Sequence, residues 1–173
     1  MLEEVLTSPG ARTLVHYLVA PETRLAVVIP GLASLAILGF YARRGRVSGR
    51  LQLLWFLALG VSFFCARWEV TEDVQRLYIY SAFSVACLLL LFVRIYVAPA
   101  LAYALTFLGL WVVDLAHALY RALQWGADLD RFYVGIGGAG AGDGLLLVPL
   151  LTAAAVAYGA RRIRARGERL AEL

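Results

Sequence analysis

Leu110-Trp-Val-Val-Asp-Leu-Ala-His117 and Gly140-Ala-Gly-Asp-Gly-Leu-Leu-Leu-Val-Pro149 decide how this chain is read. Each is an apolar run with a single aspartate inside it. The segment between them, Trp125-Gly-Ala-Asp-Leu-Asp-Arg131, is polar enough to form a turn. Asp114 lies 14 residues before Asp128, and Asp143 lies 15 after it. Helices built on the two runs and paired antiparallel, rising about 1.5 Å per residue, carry their carboxyls at nearly one depth.

The surrounding sequence is that of a membrane protein. Of its residues 62% are hydrophobic, and the mean hydropathy is +0.76. These values exclude an ordinary soluble domain. The 173 residues leave room for one polytopic membrane domain, residues 1–173, and little else. A crossing needs about 20 apolar residues. Five runs qualify, near 24–42, 51–67, 77–94, 99–124 and 132–160. The expected fold is therefore all-α, with about five transmembrane helices. Residues 1–20 are broken by Pro9-Gly10 and read as an amphipathic outer segment, on which His16 is an ordinary polar tip. Met1-Leu-Glu-Glu4 lacks the positive start of a signal peptide, so the first span is expected to be retained.

The charge pattern orients the bundle. The net charge of +4 comes from sixteen arginines and no lysine. Arg43, Arg44, Arg46 and Arg50 fill the first loop, and Arg161, Arg162, Arg164, Arg166 and Arg169 fill a tail over 161–173. The second and fourth loops mix acids with arginine. The positive-inside rule then puts the N-terminus outside and the basic tail in the cytoplasm. Arginines at span ends imply contact with anionic headgroups of a bilayer, not a nucleic-acid footprint. A prokaryotic cytoplasmic membrane is the expected location.

Local signals refine the spans. Pro30-Gly31 should kink the first. Trp55 and Trp68 read as interface anchors at the ends of the second, and Tyr78 and Tyr80 suit an outer aromatic belt. Thr71-Glu-Asp73 reads as the capped start of the third helix. Cys65 and Cys87 differ in depth by roughly 12 Å and are not expected to pair.

The intramembrane acids carry the chemistry. An ionisable group in the hydrocarbon is costly and marks a functional site by default. Asp114, His117 and Arg121 follow at spacings of three and four, so they share one helix face. Six glycines between Gly135 and Gly144 leave the start of the fifth span poorly specified as helix. From Arg131 to Ala160 a straight helix would reach roughly 43 Å, against about 30 Å of hydrocarbon. The segment must tilt or unwind against protein, and both options put a protein-lined site around Asp143.

Gly140-Ala-Gly-Asp143 resembles the GxGD signature of intramembrane aspartyl proteases, the class of presenilins, signal peptide peptidases and prepilin peptidases. Val112-Val-Asp-Leu115 is similar to the Tyr-Asp helix of presenilin, with valine for tyrosine. The resemblance implies Asp114 and Asp143 as catalytic residues, with Gly140 and Gly142 letting a substrate backbone approach and His117 and Arg121 in support. It also implies a membrane-spanning protein as substrate. Two close carboxyls cannot both ionise, so one would act as acid while the other activates water.

Other classes read the same residues differently. A proton- or ion-coupled carrier or channel subunit would use Asp114, His117 and Asp143 as a relay. An accessory subunit of a larger complex would need them only for packing, with Gly138/Gly142 and Gly140/Gly144 as GxxxG contacts. No metal or other cofactor is expected. Asp114, His117 and Asp143 would supply three ligands with no further histidine in reach.

Overall fold

A computed structural model describes residues 27–65, 67–71, 76–80, 92, 97–125 and 144–171. Four helices have described bounds: α1 (Ile29–Arg43), α2 (Gly49–Cys65), α3 (Pro99–Trp125) and α4 (Gly144–Ala171). Between α2 and α3 lies a short antiparallel hairpin of β1 (Arg67–Thr71) and β2 (Arg76–Tyr80), in register from Arg67 opposite Tyr80 to Thr71 opposite Arg76. Two of the helices contain windows long and apolar enough to cross a membrane, Pro99–His117 and Gly144–Ile163. α1 and α2 are as apolar but shorter, with 15 and 17 residues.

The first two helices are joined by a turn whose backbone groups are accounted for. Gly45 adopts φ +63°, a left-handed conformation that costs a residue without Cβ nothing. Its N–H donates to the Ala42 carbonyl and the Arg46 N–H to the Tyr41 carbonyl, both at 3.0 Å. This is the Schellman pattern that closes a helix on a glycine. Three residues later Ser48 caps α2: its Oγ accepts from the Leu51 N–H at 3.2 Å, while its carbonyl takes the first helical bond from Gln52. A glycine stop and a serine start thus fix the hairpin of helices.

Helix α3 is the hub. It packs against each of the other three helices, and those contacts dominate the tertiary packing among the described residues. From Leu101 to Leu110 it is buried almost all round, as a helix enclosed by others must be. Each outer helix turns a stripe at three- or four-residue spacing toward it. The stripes are Pro30, Ser34 and Leu38 on α1, Leu51, Trp55, Ala58 and Ser62 on α2, and Leu145, Pro149, Thr152 and Val156 on α4. Each of the three stripes includes a small residue, Ser34, Ala58 with Ser62, and Thr152, which lets the helices approach α3 closely.

The packing also gives the helix directions. One core cluster joins Tyr41, Val47, Leu51, Leu101 and Val156; the other joins Val27, Phe107, Leu108 and Leu145, with Leu115 against them. Chain order therefore runs oppositely along α1 and α3, and along α4 and α3. Along α2 and α3 it runs the same way, with Trp55 bonded to Leu105 and Phe63 to His117. Consequently the ends that carry Arg43, Arg44, Arg46, Arg50, Arg161 and Arg162 gather on one side of the bundle. The hairpin follows α2 at its Cys65 end.

Several expectations are corrected. The second apolar run stops as helix at Cys65, and Arg67 opens a strand. Thr71 ends that strand instead of capping a helix, and Tyr78 and Tyr80 lie in β2. The run at 77–94 thus begins as strand; Phe92 is helical and the rest lies outside the described residues. The fold is helical but not purely α. Pro30 does not kink α1 from within: it sits in its first turn, where a missing N–H has no helical partner to lose. Val27 and Val28, just before it, are π-helical. At the other end of the chain the basic tail is no separate segment, since α4 continues through it to Ala171. Residues 1–20 and 132–143 lie outside the described residues.

Candidate functional site

Asp114 and His117 lie one turn apart on α3. Asp114 falls inside the apolar window Pro99–His117 and is half-buried, with its Oδ1 atom shielded from solvent. His117 is 7% exposed. Its Nε2 lies 2.7 Å from the Phe63 carbonyl oxygen. A carbonyl only accepts, so Nε2 carries the hydrogen. Phe63 stands in the last turn of α2, where carbonyls have no partner within the helix. His117 therefore caps α2 from outside. The Phe63 ring stacks on the imidazole with centroids 4.3 Å apart and 22° between planes. Tyr120 meets the same phenyl edge-on at 6.4 Å.

Of the other residues singled out in the sequence, Arg121 lies on α3 but its side chain is outside the described residues. Gly140, Gly142 and Asp143 also lie outside them. Gly144, the second glycine of a GxxxG pair, opens α4, and no described atom lies within 4 Å of the place its Cβ would occupy. Cys65 is a free, exposed thiol at the end of α2. Among the described residues no three His, Cys, Asp or Glu side chains converge on a point that could hold a metal.

A second polar contact between α2 and α3 had a different reading in the sequence. Trp55 does not serve as an outward anchor. Its indole Nε1–H donates to the Leu105 carbonyl at 2.9 Å, in the middle of the bundle. Gly109 makes room: a Cβ there would meet Trp55 Nε1 and Leu59 Cδ2, each at 3.4 Å. Four hydroxyls are also fully buried, one per helix. Ser62, Thr106 and Thr152 donate to the carbonyl four residues back, at 2.6, 2.7 and 2.9 Å. Ser34 is 0% exposed and its Oγ has no hydrogen-bond partner among the described residues. The signal for these contacts was the placement of Ser, Thr, Gly and Ala on the same three- and four-residue stripes as the larger apolar residues.

No family model matches this chain, and no curated protein or solved structure is significantly similar to it.

Proposed function

We propose that this chain is an integral membrane protein whose working centre is the aspartate pair Asp114 and Asp143, acting as an intramembrane aspartyl protease of the GxGD type. The observation that carries the reading is the register of α3 against α4. Leu145 packs among residues of the Phe107–Leu115 stretch and Val156 among Leu101 and Leu105. That antiparallel register sets the Gly144 end of α4 against the Phe107–Leu115 part of α3, and Asp143 immediately precedes Gly144 in the sequence. In that arrangement one carboxyl, kept protonated by the other's charge, protonates the scissile carbonyl oxygen while its partner takes a proton from the attacking water. The substrate class is a membrane-spanning polypeptide.

Membrane insertion draws support from the outward faces. Leu32, Leu53, Phe56, Phe64 and Leu151 are all exposed by 60% or more, on helices whose inner stripes are already packed. Five crossings draw support from helix direction. Since α2 and α3 run the same way, the Cys65 end of α2 and the Pro99 start of α3 stand at opposite ends of the bundle, as a further crossing between them requires. The gathering of arginines at one end then favours an outer N-terminus and a cytoplasmic C-terminus, in a prokaryotic cytoplasmic membrane.

A proton- or ion-coupled carrier is the second reading, favoured by the shielded Asp114 carboxyl within an apolar window. One experiment addresses the pair first. Cys65 and Cys87 are replaced by serine, cysteines are introduced as Asp114→Cys and Asp143→Cys, and cross-linking is followed within the membrane. A cross-link supports the pair, and Asp114→Ala and Asp143→Ala are then assayed on model membrane-spanning substrates. Failure with several short linkers would end the aspartate-pair reading. Loss of cleavage in both alanine variants favours the protease. Intact pH-dependent flux through Asp→Glu variants, without cleavage, favours the carrier.

A further inference from the structure

On the outer face of α1, Leu35, Ala36, Gly39, Phe40, Arg43 and Arg44 line an open groove of about 520 Å³. These positions repeat at one and four residues, so the groove follows a single helix face. It exists because Gly39 leaves a gap: nothing lies within 4 Å of where its Cβ would be. The upper wall is apolar, with Leu35 and Phe40 about half exposed. The lower end is cationic. The Arg44 guanidinium lies over the Phe40 ring, 4.0 Å from its centroid, so the charge is held down at the mouth of the apolar trough. The C-terminal end of a helix ordinarily repels an anion. Here the Tyr41 and Ala42 carbonyls are already bonded to the Arg46 and Gly45 amides, which blunts that end.

We infer that this groove is a binding site for one anionic phospholipid, with an acyl chain along Leu35, Gly39 and Phe40 and the phosphate between Arg43 and Arg44. The inference rests on the membrane reading above and adds a specific site to it. Charge complementarity selects the occupant: an apolar helix would fill the trough and leave two guanidiniums without counter-charge, and a zwitterionic lipid would bring an ammonium beside its phosphate, whereas an anionic phosphate diester meets both arginines through charge-assisted hydrogen bonds with no opposing cation. The arginines lie at the bundle end that the positive-inside rule assigns to the cytoplasmic leaflet, where anionic lipids concentrate.

The test uses the full chain. Alkaline carbonate extraction comes first; if the wild-type protein washes off the membrane, both the membrane reading and the site fall. If it stays, the detergent-solubilised protein is offered equal phosphatidylglycerol and phosphatidylcholine, and retained lipid is counted by native mass spectrometry. The wild type should keep one phosphatidylglycerol preferentially. Arg43→Gln with Arg44→Gln should reduce that preference by about thirtyfold, as loss of two phosphate-facing charges implies. Gly39→Leu keeps every charge but fills the trough, so it should displace the lipid as well. Arg161→Gln with Arg162→Gln removes equal charge from the same end and should leave retention unchanged. Equal losses from both arginine pairs would mean diffuse attraction and overturn the site. So would a dimer that Gly39→Leu dissociates without changing lipid retention, because the groove would then hold a second copy of the chain.

Discussion

The Trp55 indole of α2 donates its Nε1–H to the carbonyl of Leu105, the residue whose helical partner along α3 is the amide of Gly109. One carbonyl thus serves two donors, and the glycine that supplies one of them also makes space for the other. The arrangement explains why a large aromatic can sit against a glycine in the most crowded part of the bundle.

It also sets an order for substitutions. Trp55→Phe keeps most of the ring and removes the bond. Since Leu105 keeps its helical donor, the cost should fall near the bottom of the usual range, about 0.5–1.5 kcal/mol. At Gly109 an added Cβ stands 3.4 Å from two side-chain atoms, which is contact without collision. Gly109→Ala should be near neutral, the tighter fit offset by roughly 0.8–1.0 kcal/mol of helix propensity. Gly109→Val pushes two methyls at the indole and should cost about 1–3 kcal/mol. Thermal unfolding in mild detergent measures all three, and a Gly109→Val protein as stable as the alanine variant would contradict the packing.

His117 joins α2 to α3 twice, through a hydrogen bond to the Phe63 carbonyl and a stack on the Phe63 ring. His117→Phe retains the stack alone, and Phe63→Leu retains the bond alone. The bond should be worth about 1 kcal/mol, as polar contacts between membrane helices usually are. His117→Leu, which loses both, should cost more than His117→Phe. In a double-mutant cycle with Phe63→Leu, the coupling should be about 0.5 kcal/mol or more, the stacking share. Simple additivity would show that the stack contributes nothing.

The sequence disclosed the long elements and concealed the contacts. Apolar runs at 24–42, 51–67 and 99–124 correspond to α1, α2 and α3 within a few residues, because composition alone specifies a helix whose whole circumference is apolar. The run at 77–94 misled for the same reason. Leu77, Tyr78, Ile79 and Tyr80 are as apolar as a span and as β-prone as a strand, and only pairing with Arg67–Thr71 decides between the two. The end of α4 was hidden by its arginines, which do not interrupt the helix. Asp114 stood out as a charge in an apolar run. The pairing of Trp55 with Gly109 did not, since neither residue is unusual until the register of α2 on α3 is known.

The shared direction of α2 and α3 makes a topological prediction. With Cys87 replaced by serine, Cys65 should react with a membrane-impermeant maleimide in intact cells, because it is exposed at the end of α2 away from the arginine loop. Gly49→Cys at the start of α2 and Ala100→Cys at the start of α3, each combined with Cys65→Ser, should react only after the membrane is opened. Both starts lie at the arginine-bearing end, and neither position is packed. A chain with one crossing fewer between α2 and α3 would expose the Ala100→Cys thiol on the Cys65 side. That result would remove the return crossing between α2 and α3.

Asp114 supplies the sharpest distinction between a working residue and a packing one. An ionisable carboxyl within an apolar window marks a functional site by default. Asp114→Asn keeps the shape and much of the hydrogen-bonding capacity and removes the ionisable proton. On the proposed chemistry it should abolish turnover, while the unfolding temperature stays level or rises and the free-energy change remains within about 1 kcal/mol. A packing aspartate behaves in the opposite way. If its charge held helices together, the asparagine variant would lose several kcal/mol, as breaking a buried charged pair does. Activity would then fall only in step with the folded fraction. Measuring both quantities on the same detergent preparation decides it, since a stable but inactive Asp114→Asn protein is compatible with the first account alone.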